Sequence, residues 1–172
     1  MVANSPHPAV FMRGKIMRMD AIDEQILLEL QRDGRATVTE LASRVGLSTS
    51  PCLRRLKALE TAGAITGYHA TVDAQKLGYG FEALVFATTE FRGTDTLHAF
   101  EDALTALPQV VEAQRLFGEP DYLLRVVAPD MPAYQRFYDE HLAALPGLRK
   151  FQSTIVMKRV VEHRPLPRAP RS

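Results

Sequence analysis

With one cysteine, Cys52, and no tryptophan among 172 residues, the chain has little material for redox or disulfide chemistry. A lone cysteine forms no internal disulfide, and no group of Cys and His has zinc-ligand spacing. The fold must therefore hold by burial alone, without metal or cofactor, in a reducing compartment that reads as the cytoplasm. Apolar stretches are broken by charges well before the ~18–20 residues a membrane helix needs, and residues 1–18 lack the apolar core of a secretory signal. Neither export nor membrane insertion is expected. No sign of charge dominates either: 21 Lys and Arg against 20 Asp and Glu leave a net +1, so overall charge does not announce a nucleic-acid partner.

What the chain does have is the length of one or two domains, with 46% hydrophobic residues, and an uneven spread of charge. Between Glu40 and Glu60 there is no acidic residue, while Arg44, Arg54, Arg55 and Lys57 all fall there. Local charge, rather than net charge, is the feature expected of a nucleic-acid contact.

Residues 1–18 read as an irregular N-terminal arm, disordered and basic. From Asp20, apolar residues at Ile22, Ile26, Leu27 and Leu30 form a helical stripe that Asp33-Gly34 ends. Thr37-Val38-Thr39-Glu40 has the spacing of a capping box, so a second helix starts there and runs to about Val45. Gly46 supplies a tight turn, Leu47 an apolar plug and Ser48 a new N-cap, with Pro51 tolerated in the first turn. The third helix continues to Gly63. Two short helices joined by such a turn read as a helix-turn-helix, whose second helix enters the DNA major groove.

Helical projection puts Cys52, Leu53, Leu56 and Leu59 on the core side. Ser50, Arg54, Lys57 and Thr61 lie away from it, with Arg55 at the flank. Arginine pairs with guanine edges, hydroxyls meet bases or phosphates, and lysine mainly neutralises phosphate. The candidate DNA contacts are Ser48, Thr49, Ser50, Arg54, Arg55 and Lys57; the alternative is a solvated face on an ordinary bundle. Ala64–Val72 reads as a short hairpin, or wing, in which His69 has a structural role. The DNA-binding domain thus spans 19–72, followed by a linker at 73–80.

Residues 81–163 alternate differently. Phe81–Phe91 is a strand, and Thr94–Leu107 a helix with a stripe at Leu97, Phe100, Leu104 and Leu107. Val110–Phe117 and Asp121–Val127 are strands joined by Gly118-Glu119-Pro120. Asp130 caps a helix to about Leu145, with Phe137, Tyr138, Leu142 and Leu145 inward, and Leu148–Val161 is a last long strand. The order is β-α-β-β-α-β, a ferredoxin-like arrangement, and the fold class is α+β. Leu84 and Phe86 alternate with Phe81, Ala83, Val85 and Ala87, so both sheet faces look apolar. A second copy is the simplest cover for the face without helices, which implies an obligate homodimer. Residues 164–172 form a basic, Pro-rich tail with no assigned role.

The segments DGR, LSTSPCLRR and GEPDYLL, in this order, resemble those of the Lrp/AsnC, or feast/famine, transcriptional regulators, and the likeness covers about residues 19–163. That resemblance implies a winged helix-turn-helix followed by an effector domain. It also implies dimers that assemble into tetramers, octamers or larger forms, and a free amino acid or related metabolite as effector. Carried over, Phe117, Gly118, Asp121 and Tyr122 would line the effector site, with Arg149 and Ser153 facing it from a neighbouring subunit. The expected function is a sequence-specific, double-stranded-DNA-binding regulator that is not an enzyme. Two other readings share the scaffold. One is an architectural protein that compacts DNA, and the other an enzyme similar to siroheme decarboxylases. For the latter, YHATVDAQKLG supplies His69 and Lys76 but no dense basic cluster.

Overall fold

The computed structural model describes residues 19–90, 93–162 and 164–167. The arm at 1–18, the end of the first strand at Phe91 and the tail from 168 onward lie outside the described residues. The chain divides into two compact units. One comprises residues 1–70 with 163–172, the other Thr71–Glu162.

The first unit holds α1 (Ala21–Arg32), α2 (Val38–Arg44) and α3 (Thr49–Thr61). Ile26, Leu41, Ala42, Cys52 and Leu59 form its core, flanked by partly buried Ile22, Leu27, Leu30, Leu47, Leu56 and Ile65. Thr37 and Glu40 form the expected capping box, with Glu40 N–H donating to Thr37 Oγ1 at 3.3 Å and Thr37 N–H to Glu40 Oε2 at 2.7 Å. After α2 the chain reverses at Gly46, whose φ of 71° suits glycine. Leu47 N–H then reaches back to Ala42 O at 2.9 Å.

Three expectations change here. Ser48 occupies the N-cap of α3, but its side chain makes no capping hydrogen bond. Leu53 is 38% exposed rather than core. It lies about 100° round the helix from Cys52, beyond the arc that α1 and α2 cover. The expected wing forms no strand, since residues 66–72 are exposed and outside any ladder. Two short strands with neither face buried have nothing to hold them together. Instead, Tyr68 Oη donates to Glu60 Oε1 at 2.9 Å and ties this segment to α3.

The second unit begins with a 3₁₀ turn, Gln75–Leu77, and continues as β1 (Phe81–Thr89), α4 (Thr94–Thr105), β2 (Val110–Arg115), β3 (Tyr122–Ala128), α5 (Met131–Phe137) and β4 (Leu148–Ile155). A π-helical segment, Tyr138–Leu142, extends α5. The sheet order is β2-β3-β1-β4 with every neighbouring pair antiparallel, which is the split β-α-β arrangement expected. Ala83, Val85 and Ala87 of β1 and Tyr122, Leu124, Val126 and Ala128 of β3 pack with Phe100, Leu104, Tyr134, Phe137, Leu142 and Leu145 in one core. Asp130 caps α5, accepting from Ala133 N–H at 2.7 Å.

The last strand is shorter than expected, ending at Ile155 instead of Val161. Its register pairs Ala83 with Ile155, so β1, which starts at Phe81, has almost no backbone left to offer. Val156 N–H still reaches Glu82 O at 3.1 Å.

Replacing Phe100, fully buried against Tyr122 with ring centroids 4.8 Å apart, by alanine should destabilise the protein by about 3–5 kcal/mol. Equilibrium urea unfolding followed by far-UV circular dichroism measures it.

Candidate nucleic-acid interface and effector turn

Helix α3 presents its functional side chains in two groups. Ser48, Thr49, Ser50, Arg54 and Lys57 are exposed, and among the described residues the Arg54 and Lys57 side chains form no hydrogen bond or ion pair. The first turn of α3 has no acidic residue, so its free backbone N–H groups add positive potential to the same surface. Arg55 belongs elsewhere. Its Nη1 donates to Asp20 Oδ2 at 2.7 Å and to Asp23 Oδ1 at 2.8 Å, and Arg44 likewise pairs with Asp33 at 3.1 Å.

Three acids of this unit are held ionised by their partners. The Asp23 backbone N–H, aided by Arg55, keeps the Asp20 carboxyl below its ordinary value. Arg44 does the same for Asp33, and the Thr37 backbone N–H for Glu40. Burial raises the Cys52 thiol, which keeps it a neutral core group.

At the other end of the chain, the turn between β2 and β3 is stapled to β1. Asp121 Oδ2 accepts from Thr89 N–H at 2.6 Å and from Thr89 Oγ1 at 2.9 Å. The Asp121 N–H donates to Ala87 O at 2.9 Å, and Leu116 N–H to Asp121 O at 2.7 Å. Gly118 sits in this turn at φ 137°, and Phe117 is fully exposed. Beside the turn is an open cavity of about 310 Å³ lined by Phe86, Thr88, Glu119, Pro120, Lys150 and Gln152.

The structure distributes the expected effector residues unevenly about this cavity, and none of them lines it. Tyr122 is buried under α4, donating to Glu101 Oε1 at 2.8 Å, and burial pushes its hydroxyl pKa up. Ser153 Oγ is 2.6 Å from Tyr134 Oη of α5, on the helix-covered face and away from the cavity. Arg149 pairs with Glu119 at 3.2 Å across the cavity's rim. Phe86, Thr88, Lys150 and Gln152 escaped sequence reasoning. They meet because Phe86 pairs with Gln152 and Thr88 with Lys150 in the β1–β4 register, a non-local pairing whose only trace in sequence is each strand's alternation.

Comparison with known proteins settles the lineage. A model of the AsnC-type helix-turn-helix domain matches residues 19–60, and one of the Lrp/AsnC ligand binding domain matches residues 82–166. The leucine-responsive regulatory protein of Rhizobium meliloti is 40% identical over 84% of this chain and 92% of its own. The chain belongs to the Lrp/AsnC family. The leucine-responsive regulatory protein of Escherichia coli K12 is 39% identical over 83% of this chain and 87% of its own. A Neisseria meningitidis transcriptional regulator, solved as its L-Met complex, superposes with a TM-score of 0.82 at 36% identity, covering 87% of this chain and 96% of that one. An AsnC family regulator of Agrobacterium tumefaciens gives 0.80 at 37%, covering 87% and 97%. As an Lrp/AsnC member the protein is a DNA-binding transcriptional regulator with an amino-acid-binding domain. No helix among the described residues is long and apolar enough to cross a membrane.

Asp20, Asp33 and Glu40 ionise more readily folded than unfolded. Their contribution is therefore complete above the unfolded-chain values near pH 4 and fades as pH falls through the folded values. Thermal melts from pH 6 downward should show stability declining below about pH 4, and Asp20→Asn should flatten that decline. An unchanged profile in Asp20→Asn would remove Asp20 from the account.

Proposed function

We propose that this Lrp/AsnC regulator reads duplex DNA with α3 as a homodimer, and that a free amino acid held beside the β2–β3 turn alters its assembly. It works in the cytoplasm by binding and association, with no catalysed step. The observation that carries the DNA reading is the exposure of Arg54 and Lys57, without partners among the described residues, on the helix that follows the Gly46 turn. Arg54 is the base reader, Lys57 the phosphate contact, and Ser48, Thr49 and Ser50 supply hydroxyls and backbone donors where the helix meets the DNA backbone.

For the effector, the chemistry of the cavity favours a zwitterion. Lys150 is placed to meet its carboxylate, Glu119 its ammonium and Phe86 an apolar side chain. Gly118 and Asp121 shape the turn that presents Glu119. Relatives named leucine-responsive, and one solved with L-Met, point to an apolar amino acid.

The sheet supports the dimer. Glu82, Leu84, Phe86 and Thr88 alternate with the buried residues of β1 and face away from both helices of their unit. This face is more mixed than the sequence pattern implies. Leu84, Phe86 and Leu123 are its apolar part, and Arg125 bridges Glu112 at 3.3 Å and Glu82 at 4.0 Å beside them. A second copy covers the apolar part and leaves the ionic rim wet, the usual anatomy of an interface. The cavity opens on this same face, so an amino acid bound there changes the equilibrium between assembly states by its differential affinity for them. Tetramers and octamers extend the same principle.

The test is selection from a random duplex library on immobilised protein, with and without a pool of amino acids. A recurring half-site whose recovery the pool changes is the expected result. Recovery without any shared sequence would favour the architectural reading. On the selected duplex, Arg54→Ala should weaken binding by about 1–3 kcal/mol in fluorescence-anisotropy titrations. Leu84→Lys with Phe86→Lys should shift sedimentation equilibrium toward monomer, and Lys150→Met should abolish the response to the pool while leaving the half-site unchanged.

A further inference from the structure

Arg54 and Arg55 are neighbours in sequence and identical in chemistry, yet their surroundings assign them different work. We propose that Arg55 is a positioning residue for DNA recognition. It makes no DNA contact and instead sets the rotation of α3, so that Arg54 and Lys57 face the groove. The proposal rests on the DNA-reading role of α3.

The geometry divides four carboxylate oxygens between two tasks. Asp20, the N-cap of α1, uses Oδ1 to accept from Ile22 N–H at 3.0 Å and Asp23 N–H at 2.9 Å. Asp23 uses Oδ2 to accept from Asp20 N–H at 3.1 Å. That reciprocal capping box leaves Asp20 Oδ2 and Asp23 Oδ1, and Arg55 Nη1 takes both, at 2.7 and 2.8 Å. The acids are thus fixed by the α1 backbone before they meet the arginine, and the arginine meets a rigid seat.

Burial makes the seat costly to leave. The Asp23 side chain is 10% exposed and that of Arg55 29%, and Asp23 is the one charged residue buried among those described. An arginine that swung out to a base would strand a desolvated carboxylate. Arg54 has no such tie. Apart from the Tyr68–Glu60 hydrogen bond to the segment that follows it, α3 is held by Cys52, Leu56 and Leu59 packing with Ile26 and Leu41, and apolar packing of that kind is non-directional. The Arg55 bridge supplies the directional tie between α3 and α1, and a small rotation of α3 moves Arg54 and Lys57 together.

The experiment uses the full chain, the selected duplex and a scrambled duplex of equal length, titrated over a range of KCl. Arg55→Gln is expected to reduce the ratio of specific to scrambled affinity about tenfold, within the span of one lost base contact, and to leave the salt slope unchanged. Lys57→Gln should flatten that slope by about one unit. Asp23→Asn retains every cation and removes an anion, yet it should lower the ratio as Arg55→Gln does. The double variant should lose no more than either alone. Circular dichroism confirms folding, and if Arg55→Gln fails to fold, Asp23→Asn and Arg55→Lys carry the same comparison. A flattened slope in Arg55→Gln, or an undiminished ratio in Asp23→Asn, would overturn the proposal while leaving DNA reading intact. A wild-type protein with no preference for the selected duplex would overturn both.

Discussion

Strand β1 lies between β3 and β4, and its antiparallel register with each governs nearly everything in the second unit. Pairing Val85 with Leu124 on one side and Ser153 on the other commits Ala83, Val85 and Ala87 to the helix-covered core. The pleat then sends Glu82, Leu84, Phe86 and Thr88 to the opposite face. The same register brings Thr89 to the Asp121 carboxylate and sets Lys150 and Gln152 beside Thr88 and Phe86. A slip of one residue would exchange the two faces, placing Glu82 in the core and dissolving both the staple and the cavity. The site beside the turn is therefore a consequence of strand pairing.

In the first unit the equivalent restraint is ionic. The three helices bury a small core, and small cores stabilise weakly. Much of the definition comes from local polar closures: the Asp20 and Thr37 capping boxes, the reversal at Gly46, and the salt bridges from Arg44 and Arg55. The caps and the reversal tie helix ends to backbone, the bridges tie side chain to side chain, and all of them fix direction as well as distance, which apolar contact alone does not do. A helix that must present two cations at a defined angle depends on such directional bonds.

The two units also differ in how they treat unpaired surface. Helix α3 leaves the Arg54 and Lys57 side chains without partners among the described residues and its N-terminus without a side-chain cap, which suits a polyanion. On the sheet's open face Glu82 is paired with Arg125 and Arg159, beside the apolar side chains of Leu84, Phe86 and Leu123. Neutralised charge costs less to desolvate than isolated charge, so this pattern agrees with burial against another protein surface.

Local chemistry made much of this legible in the sequence. Caps at Thr37 and Asp130, the Gly46 turn, the stripe at Ile26 and the period of β1 all depend on residues within a few positions of one another, and each appears where expected. The shared segments around Pro51 and Gly118 carried the family. Tertiary structure decided what depends on partners far along the chain. Arg55 lies only about 60° from Cys52 on the helix, which allowed either a groove contact or a bridge; Asp20 and Asp23, more than thirty positions earlier, made it a bridge. Tyr122 turned inward to Glu101, and Ser153, though exposed, turned to the helix side of the sheet, where it meets Tyr134. The wing was lost and β4 shortened because neither had a neighbouring strand to complete it. Local hydrogen bonding and side-chain periodicity are properties of a segment, whereas burial and charge pairing belong to whatever the fold sets against it.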